Sequence, residues 1–346
     1  MRATIKDVAN LAGVTPSIIS RYLNNDPTLS IKEETKDKIN KAVSELKYKP
    51  NSIAQGLRTK KSRMLGIMIP DIGNPTFSDL LKGAQDAAYN NDFFLVICNT
   101  EENNEKEDYI VNMLLEKNAD GIFLASAYIN SNVTKKLDKA KIPYVMVNRT
   151  IRSEKGYSVS CDNISGASMV VEHLISLGHK KIAHIAGSLF TDTATGRLQG
   201  YRKTLIDNRI DYFPDYIVEA PFSFEGGYIA MKKLLELKDI PTAVFVVSDL
   251  PALGALSAIK ETNILVPDDI SLAGFNNNWV VNQVTPRLTT IETDFYNMGY
   301  KGAEMLIQLV NENQPEQAHI VFKPKLIVRE STSPPKQEKA MKTDDI

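Results

Sequence analysis

Apolar residues Ile5, Val8, Ala9 and Ala12 recur at the three- and four-residue spacing of one helix face, and Ile18, Ile19, Tyr22 and Leu23 repeat that spacing after a short break. The break carries turn chemistry. Gly13 can adopt a left-handed backbone, Val14 can staple the turn, and Thr15-Pro16 supplies a cap followed by proline at the first helical position. Thr4 with Asp7 three residues on has the spacing of a reciprocal cap for the first helix. A third helix is expected from Ser30, where Ser30 and Glu33 have capping-box spacing and Thr35, Ile39, Ala42, Val43 and Leu46 follow one face. Two short helices about a glycine turn, closed by a third, predict a helix-turn-helix head whose second helix enters the major groove. Pro16, Ser17 and Arg21 are then the candidate base readers, Arg21 through the bidentate contact that arginine makes to guanine.

From Met64 the period changes. Short β-rich runs at 65–70, 93–97, 121–124 and 143–147 alternate with helical stretches, and a second set at 181–186, 242–247 and 270–275 repeats the scheme. The expected fold class is α/β: an all-α head followed by two doubly wound parallel-sheet subdomains. Strands run into polar residues, among them Asp71, Asn148, Ser248-Asp249 and Asn276-Asn277. Open parallel sheets bind ligands beyond their carboxyl ends, so a cleft between the halves is the expected site.

Composition and charge refine this picture. With 346 residues, 43% hydrophobic and 24% charged, the chain is an ordinary globular one, which excludes disorder or collagen as a global description. The net charge of -1 hides a split: residues 1–63 hold 13 Lys/Arg against 6 Asp/Glu, whereas the remainder is acidic overall. A basic head points to an anionic polymer and leaves the body a different task. The N-terminus has no apolar signal core and no run reaches the roughly 18 apolar residues of a membrane span, which places the chain in the cytoplasm. Cys98 and Cys161 are isolated, and the four histidines, His173, His179, His184 and His319, have no metal-ligand spacing. No metal or cofactor is expected. Phosphate loops, GxSxG and HExxH are all missing, so the reading is not an enzyme.

The runs 4–9, 12–15 and 20–24, followed by Tyr48-Lys49-Pro50-Asn51-Ser52-Ile53-Ala54-Gln55-Gly56-Leu57, resemble the LacI/GalR (lactose/galactose repressor) family of bacterial transcriptional regulators, and the resemblance continues to about Arg329. Carried onto matching positions, it implies DNA contacts from Thr4, Thr15, Pro16, Ser17, Ser20, Arg21 and Asn24 in the head and from Asn51, Ala54 and Leu57 in a hinge helix. Leu57 matches a leucine that wedges the minor groove and kinks the duplex. Where the family often has Thr-Val this chain has Ile18-Ile19, so operator preference does not carry over.

For the body the resemblance implies a periplasmic-binding-protein-like fold crossed three times by the chain, near residues 161, 291 and 322. It implies an effector site lined by Asp71, Asn74, Phe77 and Asn148 from the first half and Arg197, Phe222, Asp249 and Asn276 from the second. An aromatic face for C–H groups, with forked donors and acceptors for hydroxyl pairs, suits a sugar or related polyol, a sugar phosphate included. Asn276-Asn277 replaces the family's frequent Asp-Asp pair, which leaves effector identity open.

The domains expected are 1–47 helix-turn-helix, 48–62 hinge helix and linker, 63–331 effector-binding and dimerisation core, and 332–346 disordered tail. Within the core the N-subdomain spans about 63–161 plus 292–321 and the C-subdomain about 162–290 plus 323–331. The function expected is that of a nucleoid-associated repressor, a homodimer on palindromic double-stranded operator DNA under a small-molecule effector. A small-molecule receptor without DNA-reading activity is the alternative, and removal of residues 1–62 separates the two.

Overall fold

The Thr4–Asp7 cap and the Gly13 turn of the first helix form as their spacing predicts. The structure, a computed structural model, describes residues 3–23, 26–48, 61–129, 131–151 and 156–336. The chain divides into two units, Met1–Ser62 and Arg63–Ile346. In the first, α1 (Ile5–Ala12) opens on a reciprocal cap in which the Thr4 amide donates to the Asp7 carboxylate and the Asp7 amide to Thr4 Oγ1. Gly13 ends the helix at φ 69, a left-handed conformation that costs glycine little. Then α2 (Pro16–Leu23) and α3 (Glu33–Glu45) follow, and Val8, Ala9, Ala12, Ile19, Ile39 and Ala42 make one small core.

The third helix begins later than its sequence spacing predicts. Its N-cap is Lys32, extended and without a side-chain cap bond, and Ser30 takes no part. Ile31 packs against the head core and holds the approach extended, and Glu33 and Glu34 in the first turn complement the helix dipole instead.

The second unit contains two parallel sheets. The first orders its strands β11-β5-β4-β3-β1-β2 and the second β7-β6-β8-β9. Here β1 is Met64–Ile69, β2 Phe94–Asn99, β3 Gly121–Leu124, β4 Tyr144–Val147, β5 Tyr157–Cys161 and β11 His319–Phe322. The second sheet uses β6 (Ile182–Ala186), β7 (Ile217–Glu219), β8 (Ala243–Val246) and β9 (Ser271–Ala273). A short antiparallel pair, β10 (Thr290–Glu292) with β12 (Lys325–Ile327), lies beside β9 through the bridges Ala273 to Thr289 and Asn276 to Glu292. The chain leaves the first sheet after Cys161, returns after Glu292 and leaves again after Phe322, so three strands join the halves.

Helices cover both faces of each sheet. In the first half, α4 (Thr76–Asn90) and α11 (Phe295–Val310) cover one face and α5 (Asn104–Glu116) with α6 (Val133–Ala140) the other. The second half uses α7 (Asn163–Ser176) with α8 (Asp192–Asp207), and α9 (Phe224–Leu235) with α10 (Asp249–Lys260). Helices α4 and α11 touch backbone to backbone: a Cβ at Gly83 would fall 2.0 Å from the Tyr296 carbonyl oxygen, and one at Gly299 2.0 Å from that of Leu80.

The end of the chain departs from expectation. Residues 332–336, read from the sequence as the start of a disordered tail, are bonded to the second half. Ser331 pairs with Leu272, Thr332 Oγ1 meets His173, the Ser333 amide donates to Ser271 Oγ, and Lys336 reaches Asp269. Polar composition misleads here because Ser331 and Ser333 satisfy polar groups of the edge strand β9, whose Ser271 and Leu272 are buried. The tail beyond Lys336 lies outside the described residues.

Candidate functional site

In the head, Thr4, Thr15, Pro16 and Ser17 are exposed. Thr4 and Thr15 also serve as helix-start acceptors, Thr15 Oγ1 receiving the Ile18 amide at 3.4 Å. Ile18 itself packs on the head core, and Ser20 is half-buried on the same helix. Arg21 is engaged within the protein: its Nε donates to Asp26 at 2.8 Å and its Nη2 to Thr28 Oγ1 at 2.8 Å. Hydrogen bonds from Thr28 and Arg21 hold the Asp26 carboxyl well down, at a pKa of about 2. The pair fixes the guanidinium's direction while leaving the side chain 37% exposed. Asn24, Asn51, Ala54 and Leu57, assigned to DNA from the sequence, lie outside the described residues, as does most of the 48–62 hinge.

In the body a cavity of about 180 Å³ opens between the two sheets' carboxyl ends. Seven of the eight effector candidates line it: Asp71, Asn74, Phe77, Asn148, Arg197, Phe222 and Asn276. Their backbones are specialised. Asn148 and Asn276 sit at φ 66 and 113, and both are held there by the adjacent crossing strand: the Asn148 amide donates to Val159 and the Asn276 amide to Ile291. The Phe222 ring lies against Gly187, where a Cβ would come within 2.4 Å of it.

Arg197 spends its donors inside the wall, on Asn163 Oδ1 at 2.9 Å, the Val247 carbonyl at 2.5 Å and, more loosely, Asn276 Oδ1 at 3.5 Å. Its guanidinium stacks 3.7 Å over Phe275, and burial lowers its pKa to about 10, which leaves it cationic. It therefore shapes the cavity more than it reaches into it.

Asp249 does not line the cavity. It lies fully buried behind the wall, where one carboxylate oxygen accepts Thr290 Oγ1 at 2.6 Å and the other the Asn278 amide at 2.9 Å. Burial raises its pKa to about 7 against those bonds and the nearby Arg197. As first residue of α10 it turns back to tie the crossing strand, and its neighbour Ser248 presents the open hydroxyl instead. Ser248 Oγ is buried, lines the cavity and has no hydrogen-bond partner among the described residues.

Sequence reasoning also missed Thr76, Glu102, Arg149 and Thr193. Arg149 is the most consequential. It is 3% exposed, its Nη2 pairs with Glu102 at 2.7 Å, and its guanidinium lies 5.2 Å from the Phe222 ring across the cavity. Its Nη1 is buried without a hydrogen-bond partner among the described residues. The signal was its place directly after Asn148 at a strand end. The cavity thus offers an aromatic face, an uncommitted guanidinium nitrogen, an uncommitted hydroxyl and the amides of Asn74, Asn148 and Asn276.

The histidines are structural. His179 bonds Thr242, Ser271 and the Ser333 carbonyl, and fully buried His184 stacks between Tyr201 and Phe245 with its pKa lowered by burial to about 4. No cluster of metal-ligating residues and no helix long and apolar enough to cross a membrane occurs among the described residues.

Known proteins share both parts. Residues 4–51 match the family described as bacterial regulatory proteins, lacI family, and residues 171–332 match a periplasmic binding protein-like domain. The chain is 31% identical over 333 residues to catabolite control protein A of Priestia megaterium, covering 96% of this chain and 100% of that protein. It is 33% identical over 330 residues to the HTH-type transcriptional repressor PurR of Histophilus somni strain 2336, covering 95% and 98%. A lac repressor dimer bound to operator and the anti-inducer ONPF matches it with a TM-score of 0.86 at 27% identity, over 96% of this chain and 100% of that one.

Proposed function

Because the chain belongs to the lacI family of bacterial regulatory proteins, we propose that it is a cytoplasmic repressor that binds a two-fold operator as a homodimer and answers to a small neutral polyhydroxy ligand, a sugar or close relative. It is a DNA-binding transcription regulator and not an enzyme. The observation that carries the ligand reading is the composition of the cavity. Asp71 and Glu102 balance Arg149 and Arg197 in formal charge, Arg149 is already paired and Arg197 is already bonded, so no free cation waits for a phosphate. What is left uncommitted is hydroxyl, amide and one guanidinium nitrogen beside an aromatic ring, a set that matches hydroxyl pairs above C–H faces. A cavity of about 180 Å³ is below the roughly 300–1,000 Å³ of drug-sized sites and suits a small ligand.

The homodimer rests on exposed apolar surface and on geometry. Edge strand β2 exposes Phe94 and Ile97, the loop after β1 exposes Ile72, and the second half exposes Trp279. A hydrophobic sheet edge left open is an aggregation hazard, which two-fold pairing removes. Two heads then read two half-sites, with Arg21, Ser17 and Pro16 toward base edges and the exposed caps Thr4 and Thr15 toward phosphates. Ligand in the cleft changes how the halves sit and thereby the spacing of the hinges that carry the heads, which is the coupling between the two sites.

Selection of bound sequences from random duplex DNA by the full-length protein, at one stated salt concentration and with or without a panel of neutral sugars, tests this reading. A two-fold symmetric site whose occupancy changes with one sugar supports it. Absence of enrichment under every condition overturns the repressor, and enrichment that responds only to sugar phosphates overturns the neutral ligand.

A further inference from the structure

Two hydrogen bonds cross the cleft without belonging to the cavity. Thr150 Oγ1 donates to Asp192 Oδ2, and the Ile129 amide donates to the Phe190 carbonyl at 2.9 Å. Ile129 and Thr150 come from the first half, directly after β3's loop and β4, and Phe190 and Asp192 come from the turn into α8 in the second. None of the four lines the cavity, yet each bonded side chain adjoins a residue that does: Thr150 follows Arg149, and Asp192 precedes Thr193. The bond therefore sets the separation of the two walls at the point where Arg149 faces Phe222.

The other cross-cleft contacts differ in kind. Asn276 Nδ2 donates to Thr76 Oγ1 at 3.2 Å, and the Arg149 guanidinium stands over Phe222. These groups line the cavity, so a ligand competes for them. Thr150 and Asp192 do not line the cavity, so a ligand held there does not compete for their bond. Their bond is also balanced against a cost, because Asp192 Oδ1 is shut off from solvent with no hydrogen-bond partner among the described residues, and opening the cleft would rehydrate it.

We propose that Asp192 is a positioning residue: through Thr150 it holds the cleft closed independently of ligand, and the fraction of closed molecules it maintains scales the apparent affinity for the effector. The last clause rests on the reading of this cavity as the effector site. The closure itself does not.

The Ile129 amide reports closure directly, since its acceptor lies on the opposite half. Hydrogen exchange of the full-length protein without ligand is the test, with three variants. Asp192→Ala and Thr150→Val each accelerate exchange at Ile129 about tenfold while amides in β4 and β8 keep their protection. Asp192→Asn retains an acceptor for Thr150 and sheds the buried charge, so its Ile129 exchanges at the parental rate or more slowly. Parental exchange at Ile129 in both Asp192→Ala and Thr150→Val overturns the proposal. Equal acceleration in β4 and β8 does so too, because the bond is then general stability and not position. The exchange result stands or falls without an effector, so failure of the sugar reading leaves it intact.

Discussion

Asp249 and His184 are two fully buried ionisable groups whose burial acts in opposite directions on stability. Burial raises the Asp249 pKa from 3.8 to about 7, so its protonated form is the one the fold favours. The stability this provides is complete below about pH 4 and is lost as pH rises through 7. Burial lowers the His184 pKa from 6.5 to about 4, and its contribution is complete above pH 6.5 and lost as pH falls through 4. Asp249→Asn removes the first effect and leaves the second. Its stability relative to the parent should climb from near zero at pH 4 to roughly 4 kcal/mol at pH 8, read from denaturant unfolding across that range. A flat difference would show that the carboxylate is ionised in the fold. In the head, Arg21→Ala should cost roughly 1–3 kcal/mol of discrimination between the selected operator and a variant changed at one base pair, with weak nonspecific binding little altered. Titration of both duplexes at one salt concentration measures it. Seven of the eight residues that the family resemblance placed at the effector site line one cavity: Asp71, Asn148 and Asn276 follow strands whose carboxyl ends meet there, while Phe77 and Arg197 reach it from α4 and α8. Asp249 turns away because its carboxylate accepts from the Asn278 amide and Thr290 Oγ1, and Arg149 was passed over although it directly follows Asn148 at a strand end, since its inward direction is not written in the sequence.

At the scale of elements, the pairing of α4 with α11 depends on two glycines that no periodicity marks. Gly299→Ala places a Cβ against the Leu80 carbonyl and should destabilise the body by about 1–3 kcal/mol, measured as a lowered unfolding midpoint with head DNA contacts untouched. The segment 331–336 makes a second test. Truncation after Glu330 removes bonds to Leu272, Ser271, His173 and His179, and at about 1 kcal/mol each the body should lose roughly 2–4 kcal/mol. A truncated chain as stable as the parent would make the strap incidental. Strands inside strongly apolar runs were legible in the sequence. Strands β5, β7, β10, β11 and β12 were not, since they mix polar residues with apolar ones and are strands only because a neighbouring strand offers them partners.

For the whole molecule, the homodimer is the premise on which operator reading depends. Phe94→Lys puts a charge on the exposed edge strand and should shift the protein toward monomer in sedimentation equilibrium, with a parallel loss of operator affinity. Trp279 is the single tryptophan of the chain and is 62% exposed, so its emission should shift to the red if dimer dissociation bares it. An unchanged sedimentation profile would move the interface away from β2.

The sequence by itself determined the helix-turn-helix head, its caps and glycine turn, the alternation that makes two parallel sheets, and the family. These depend on neighbours within a few residues or on periodicity, both of which are written along the chain. Tertiary structure alone decided which strand-end residues face the cavity and which turn away, that Ser248 and Arg149 carry the uncommitted groups, that Arg21 is held by Asp26, and that Thr150 and Asp192 meet across the cleft. Each of these is a question of which way a side chain points and what lies opposite it. Partners such as Asp249 and Thr290, or Thr150 and Asp192, stand some forty residues apart, and only the packing of sheets and crossing strands brings them together.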